Sequence, residues 1–259
     1  MSNLLYSDVK GSGQTVVLLH GWGMHGGLWG SFNEELSKHF ETHTIDLPGF
    51  GFSKEIKGEF TLEYYSEIIE EYIQKLKSPV SLIGWSLGGL IVQHILKRKK
   101  IELDKVILVA TTPSFTKKSG WDSAMELSVF NAFADDLKLD YKKTLKRFLS
   151  LQTRGSDLSR EEFRALNSKL DERGEANIKA LESGLKILSE TDLRSNNIND
   201  IPVLLILGEK DNLVPFSVNA EFKKKYSKLD ELYLEKTAHA PFISKPGLCA
   251  ERVKKFIYE

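Results

Sequence analysis

Six short apolar runs, rich in β-branched residues and separated by longer amphipathic stretches, constrain the fold of this chain most. They are VVLLH (16–20), THTIDL (42–47), VSLIGW (80–85), VILVA (106–110), VLLILG (203–208) and ELYLEK (231–236). Runs of that length suit strands buried on both faces of a parallel sheet, where the crossover helices cover each side. Helical periodicity occupies the gaps, for example over 62–76 and 88–97. The βαβα order predicts an α/β chain with a mostly parallel central sheet flanked by helices. A chain of 259 residues, 41% apolar, is long enough to bury such a core.

The rhythm stops between Val109 and Val203, where no convincing strand appears and several amphipathic helices do. The segment 112–190 therefore reads as a helical lid (cap) subdomain over one edge of the sheet, with 1–111 and 191–259 as the core. Within it, 141–152 gathers Leu145, Phe148, Leu149 and Gln152 on one side, and 158–170 does the same with Phe163, Leu166 and Leu170.

Charge and cysteine content narrow the function classes. The 36 basic and 36 acidic residues cancel, so no global field gathers nucleic acid or an anionic membrane. The single cysteine, Cys249, excludes an internal disulfide and a cysteine metal cluster. No histidine pair with carboxylate neighbours has metal-ligand spacing, so neither metal nor cofactor is expected. No apolar run approaches the roughly 18 residues needed to span a bilayer, and the first residues lack a signal-peptide pattern. The expectation is a soluble, cytoplasmic, monomeric protein.

Four elements carry chemistry. Gly84-Trp85-Ser86-Leu87-Gly88 follows the run VSLI and precedes a helical stretch, the setting of a nucleophile elbow, in which flanking glycines permit a turn too sharp for side chains. Alone, the motif is a modest signal, and a glycine-rich turn with a capping serine is the commoner reading. His20-Gly21-Trp22-Gly23 directly follows VVLL, where an oxyanion loop belongs, so the backbone N–H groups of Trp22 and Leu87 are the expected donors. Asp211 lies just past VLLILG and His239 just past ELYLEK, which puts both at strand C-terminal ends in the order Ser, Asp, His. Ser86 is the expected nucleophile, His239 its base and Asp211 the carboxylate orienting the base. Glu209 is the rival to Asp211, but lies closer to the strand. Among the other histidines, His20 is expected to brace the oxyanion loop, His39 and His43 to be solvated or packing residues, and His94 to point away from the sheet edge. His25 is a turn residue with no assigned role.

These motifs, together with DLPGFGFS (46–53), resemble the α/β-hydrolase superfamily. Within it, RFLSLQT, the GLKIL to TDLR segment and AHAPFISKP resemble the BioH-type pimeloyl-[acyl-carrier protein] methyl ester esterases over nearly the whole chain. The resemblance implies a serine carboxylesterase of biotin biosynthesis. It implies catalytic Ser86, Asp211 and His239, and a substrate site lined by Trp22, Leu87, Phe148, Leu149, Ser150, Leu151 and Gln152. It also implies an acyl carrier protein as partner, docked through Lys143, Arg147, Arg160 and Arg164. The residues agree to this extent: 138–164 holds eight basic and four acidic side chains, with Lys143/Arg147 and Arg160/Arg164 spaced to share helix faces. By themselves such charges read as a solvated surface. Lys143 stands where the family pattern has an arginine, keeping the charge without the bidentate fork, and Ser114 replaces a cysteine. Two other readings use the same residues: a general short-chain carboxylesterase acting on free small esters, and a catalytically silent receptor or scaffold.

Overall fold

The computed structural model describes residues 5–53, 58–77, 79–170, 172–195 and 201–259. Seven strands form one sheet in the order β1-β3-β2-β4-β5-β6-β7: β1 (Ser7–Lys10), β2 (Thr15–Leu19), β3 (Glu41–Ile45), β4 (Val80–Trp85), β5 (Val106–Val109), β6 (Val203–Gly208) and β7 (Leu229–Leu234). All neighbours are parallel except β1 and β3. Ten α-helices are described: α1 (Gly30–Leu36), α2 (Leu62–Ile73), α3 (Leu87–Arg98), α4 (Leu127–Leu139), α5 (Tyr141–Thr153), α6 (Ser159–Lys169), α7 (Ile178–Glu190), α8 (Asn219–Lys225), α9 (Pro241–Ser244) and α10 (Pro246–Tyr258).

The strands alternate their side chains between two apolar layers, as the pleat requires. Val17, Leu19, Leu82, Val106, Leu108 and Leu205 face a layer containing Ile69 of α2 and Leu90 and Ile91 of α3. Val16, Leu18, Ile83, Ile107, Val109, Leu204 and Ile206 face the other, with Phe32 of α1 and Val253 and Phe256 of α10. Burial on both faces explains why these strands read as continuous apolar runs.

The apolar runs locate six strands with small shifts. The run at 231–236 is displaced by two residues from β7: Glu235 and Lys236 turn away, Lys236 taking a left-handed φ of 62° and donating its N–H to Glu209 Oε2 at 2.9 Å. Strand β1 has no apolar run to announce it, because Ser7–Lys10 is an antiparallel edge strand, half-buried to exposed.

Helices α4 to α7 form a lid-like insertion between β5 and β6. Their starts are set by local chemistry: Asp140 accepts from Lys143 N at 3.0 Å to cap α5, and Asn177 accepts from Lys179 N at 2.9 Å to cap α7. The insertion is tied to the core by Arg173, buried between α6 and α7. Its guanidinium donates to Asp46 at 2.9 Å and to Asp8 on β1. Asp46, fully buried, also accepts from Gly26 N at 2.6 Å and Phe52 N at 2.8 Å. His25, a turn residue in the sequence, adds a second tie through Nε2 to the Lys169 carbonyl at 2.6 Å. Replacing Arg173 by methionine keeps an apolar stem but leaves the Asp46 charge buried without its cation. Urea unfolding of that variant should show a loss of about 3 kcal/mol, and an unchanged midpoint would mean the pair gives no net stability.

Candidate active site

Strand β4 ends at Trp85 and α3 begins at Leu87, so Ser86 alone makes the turn, with a left-handed φ of 54° that a non-glycine residue adopts only under constraint. The constraint is visible. Ser86 N donates to the Val109 carbonyl at 3.0 Å, and Thr111 Oγ1 donates to the Ser86 carbonyl at 2.8 Å. Close backbone approach explains the flanking glycines: a Cβ on Gly84 would lie 2.6 Å from the Gly88 carbonyl oxygen, and one on Gly88 would lie 2.3 Å from that of Leu19. Ser86 occupies the N-cap position of α3 but makes no side-chain cap bond. Its hydroxyl is turned elsewhere.

That hydroxyl meets His239 Nε2 at 2.9 Å, and His239 Nδ1 meets Asp211 Oδ2 at 2.8 Å. An ionised carboxylate can only accept, so Nδ1 carries the imidazole proton and Nε2 presents its lone pair to the serine. Asp211 Oδ1 is held by Leu213 N at 2.8 Å and Val214 N at 3.0 Å, which fixes the carboxylate before it meets the ring. The side chains of His239 and Asp211 are both fully buried, which strengthens these contacts by excluding water. The rival Glu209 is directed to Lys236 N and Lys210, with a third of its side chain exposed.

The loop after β2 lies against the elbow: a Cβ on Gly21 would sit 3.2 Å from Ser86 Cβ. The amide N–H groups of Trp22 and Leu87 have no hydrogen-bond acceptor among the described residues, so both are available to an oxyanion. His20 braces this loop, Nδ1 donating to the Gly21 carbonyl at 2.8 Å while Nε2 accepts from Leu47 N at 2.9 Å. Accepting at Nε2 needs the neutral ring, and complete burial pushes its pKa down from 6.5 to about 3. The Trp22 indole donates to the Leu181 carbonyl of α7 at 2.8 Å and meets Phe148 of α5 edge-on at 4.8 Å, so the lid closes over this loop.

Residues 14–246 match the family described as the alpha/beta hydrolase fold. Pimeloyl-[acyl-carrier protein] methyl ester esterase of Nitrosospira multiformis is 36% identical, covering 97% of both chains, and that of Vibrio vulnificus is 34% identical over 99% of both. The chain belongs to the α/β-hydrolase family, in its BioH-type branch. An esterase from Exiguobacterium antarcticum superposes with a TM-score of 0.85 at 23% identity, covering 98% of this chain and 96% of its own, a likeness of fold. As an α/β-hydrolase the protein is an enzyme, a serine hydrolase. Among the described residues no helix is long and apolar enough to cross a membrane.

The α/β-hydrolase lid carries the remaining predicted residues in several environments. Phe148 packs between Trp22 and Phe133, Leu149 is buried in the opposite layer, Leu151 is half-buried, and Gln152 is buried with its carbonyl accepting from His239 N at 3.0 Å. Ser150 instead is exposed, lining an outer groove with Arg154, Arg160 and Arg164. Helical periodicity assigns it there, since it falls between the buried 148–149 and 152–153 positions. Lys143 and Arg147 are exposed on α5, Arg147 pairing with Asp136 and lying over the Phe133 ring. His94, on α3, binds Ser66 of α2 at 2.8 Å, and His43 binds Tyr72 at 2.7 Å. Ser114 is buried and donates to the Thr116 carbonyl at 3.1 Å. Sequence reasoning gave no role to the Leu213 and Val214 amides, because backbone donors leave no residue-type signal.

The His20 shift predicts a pH dependence. Between about 3 and 6.5 the unfolded chain binds a proton that the folded ring refuses, so its contribution to stability falls as pH drops through that window. Urea midpoints for wild type and His20→Asn should therefore diverge at neutral pH and draw together as the solution is acidified towards about pH 4. Parallel pH curves would show that His20 is not held neutral.

Proposed function

We propose that this enzyme is a carboxylesterase that hydrolyses the methyl ester of pimeloyl-[acyl-carrier protein] in biotin biosynthesis, through Ser86, His239 and Asp211. The observation carrying the reading is the continuous hydrogen-bond chain from the Ser86 hydroxyl through the His239 imidazole to Asp211. It is the arrangement that a buried alcohol needs in order to lose its proton on attack. The named substrate of the full-length relatives supports the choice of ester.

In this reading Ser86 Oγ attacks the ester carbonyl as His239 Nε2 takes its proton. The carbonyl oxygen becomes an oxyanion facing the Trp22 and Leu87 amides, each of which is worth roughly 10²- to 10³-fold in rate. Collapse returns the proton to the methoxy oxygen, and methanol leaves. Water then gives a proton to the same imidazole, attacks the acyl-enzyme, and releases the free acid with Ser86 restored. Asp211 stabilises the transient imidazolium and keeps the ring from rotating. The acyl chain runs beside Trp22 and Phe148 under the lid. The exposed basic residues Lys143, Arg147, Arg160 and Arg164 meet the acidic carrier and its phosphopantetheine phosphate, Arg160 and Arg164 acting from one groove. We assign 112–190 to the lid (cap) and 1–111 with 191–259 to the core.

Ser86→Ala should lower turnover of the carrier-linked ester by about 10⁴-fold or more while leaving the fold intact by circular dichroism; near-normal ester cleavage by this variant would remove the assignment. Changing Arg160 and Arg164 together to glutamine should raise KM for the carrier-linked ester, with a salt dependence lost in the variant, and spare a short free ester. Equal loss on both substrates would make the groove structural and favour a general short-chain esterase.

A further inference from the structure

We propose that Trp85 is a positioning residue for His239, a role that rests on reading Ser86, His239 and Asp211 as the catalytic chain. The Trp85 indole N–H donates to the His239 backbone carbonyl at 2.7 Å, and Trp85 is fully buried. Its ring lies 5.7 Å from the imidazole, centre to centre, and packs edge-on against Phe242 at 5.3 Å. On another side it supports the oxyanion loop, since a Cβ on Gly21 would come within 2.9 Å of Trp85 Cε3. One side chain therefore touches the loop that carries an oxyanion donor and the loop that carries the base, and it precedes the nucleophile in sequence.

The backbone around His239 needs such an anchor. It lies in a loop between β7 and α9, outside regular secondary structure, and no sheet ladder fixes it. Its two backbone groups are held from opposite directions. The N–H donates to Gln152 at the end of α5, which belongs to the lid-like insertion; the carbonyl is held by Trp85, which is locked into the sheet by its pairing with Val109. Among the described residues, the Trp85 bond is the one that ties the His239 backbone to the strand leading into Ser86. The tryptophan at the second place of Gly-x-Ser-x-Gly thus sets the distance between base and nucleophile independently of the insertion.

The test replaces Trp85 with its benzothiophene analogue, which keeps the ring shape and exchanges the N–H for sulfur, with Trp85→Phe as a second variant. Turnover of a short free ester should fall on the order of 10- to 100-fold in kcat, with KM within about twofold. The low-field proton resonance of His239 Nδ1 should shift, and the thermal unfolding temperature of the analogue should stay near that of wild type. Wild-type kcat with an unmoved resonance in the analogue would overturn the assignment. So would a rise in KM at constant kcat, which would make Trp85 a wall of the substrate site. Ser86→Ala in the same assay separates the two levels: turnover there means the catalytic chain itself is misassigned, whereas a dead Ser86→Ala beside a normal analogue removes only the role of Trp85.

Discussion

A buried imidazole, with each nitrogen given one partner, is the constraint around which the rest of the site is arranged. Asp211 fixes which nitrogen is protonated, and Ser86 receives the other. Removing water from this pair of contacts strengthens both and also makes each costly to leave unmade. The fold answers by immobilising the partners. Two amides grip the far oxygen of Asp211, the Val109 carbonyl grips Ser86, and Gln152 with Trp85 grip the His239 backbone. The strained φ of Ser86 is sustained by the same contacts.

The parallel sheet accounts for why groups so distant in sequence can meet. Strands β4, β6 and β7 all run the same way, so the residues just beyond their ends, Ser86, Asp211 and His239, emerge on one edge. The loop carrying Trp22 leaves β2, the neighbour of β4, at that edge too. The lid-like helices cover it, meeting the core through Trp22, Phe148 and the Arg173 ion pairs.

Much of this was legible in the sequence because it depends on residue type. Continuous apolar runs fixed β2 and β4 to β6 closely, since burial on both faces leaves no room for polar alternation, and glycines at 84 and 88 marked a turn with no space for a Cβ. Strand β1 escaped because an exposed antiparallel edge has no apolar signature, and β7 slipped because its residues before Leu234 are only partly buried. The Arg173–Asp46 tie was invisible for a different reason. Its partners are far apart in sequence, and a lone arginine among surface charges gives no sign that the fold will bury it. The resemblance implies Ser150 as part of the substrate site, and the turn of the helix exposes it on the outer groove with the arginines. The backbone donors around Asp211 and the carbonyl of Gln152 carry no residue-type information at all.

The proposed hydrolysis depends on the Ser86 hydroxyl being the one that His239 activates. The most direct measurement is labelling with a fluorophosphonate, followed by mass mapping of the modified peptide alongside residual ester hydrolysis. One adduct is expected, on Ser86, with activity lost in proportion to labelling and labelling suppressed in a His239→Ala variant. An adduct on another residue, or full hydrolysis by protein whose Ser86 is completely modified, would contradict it.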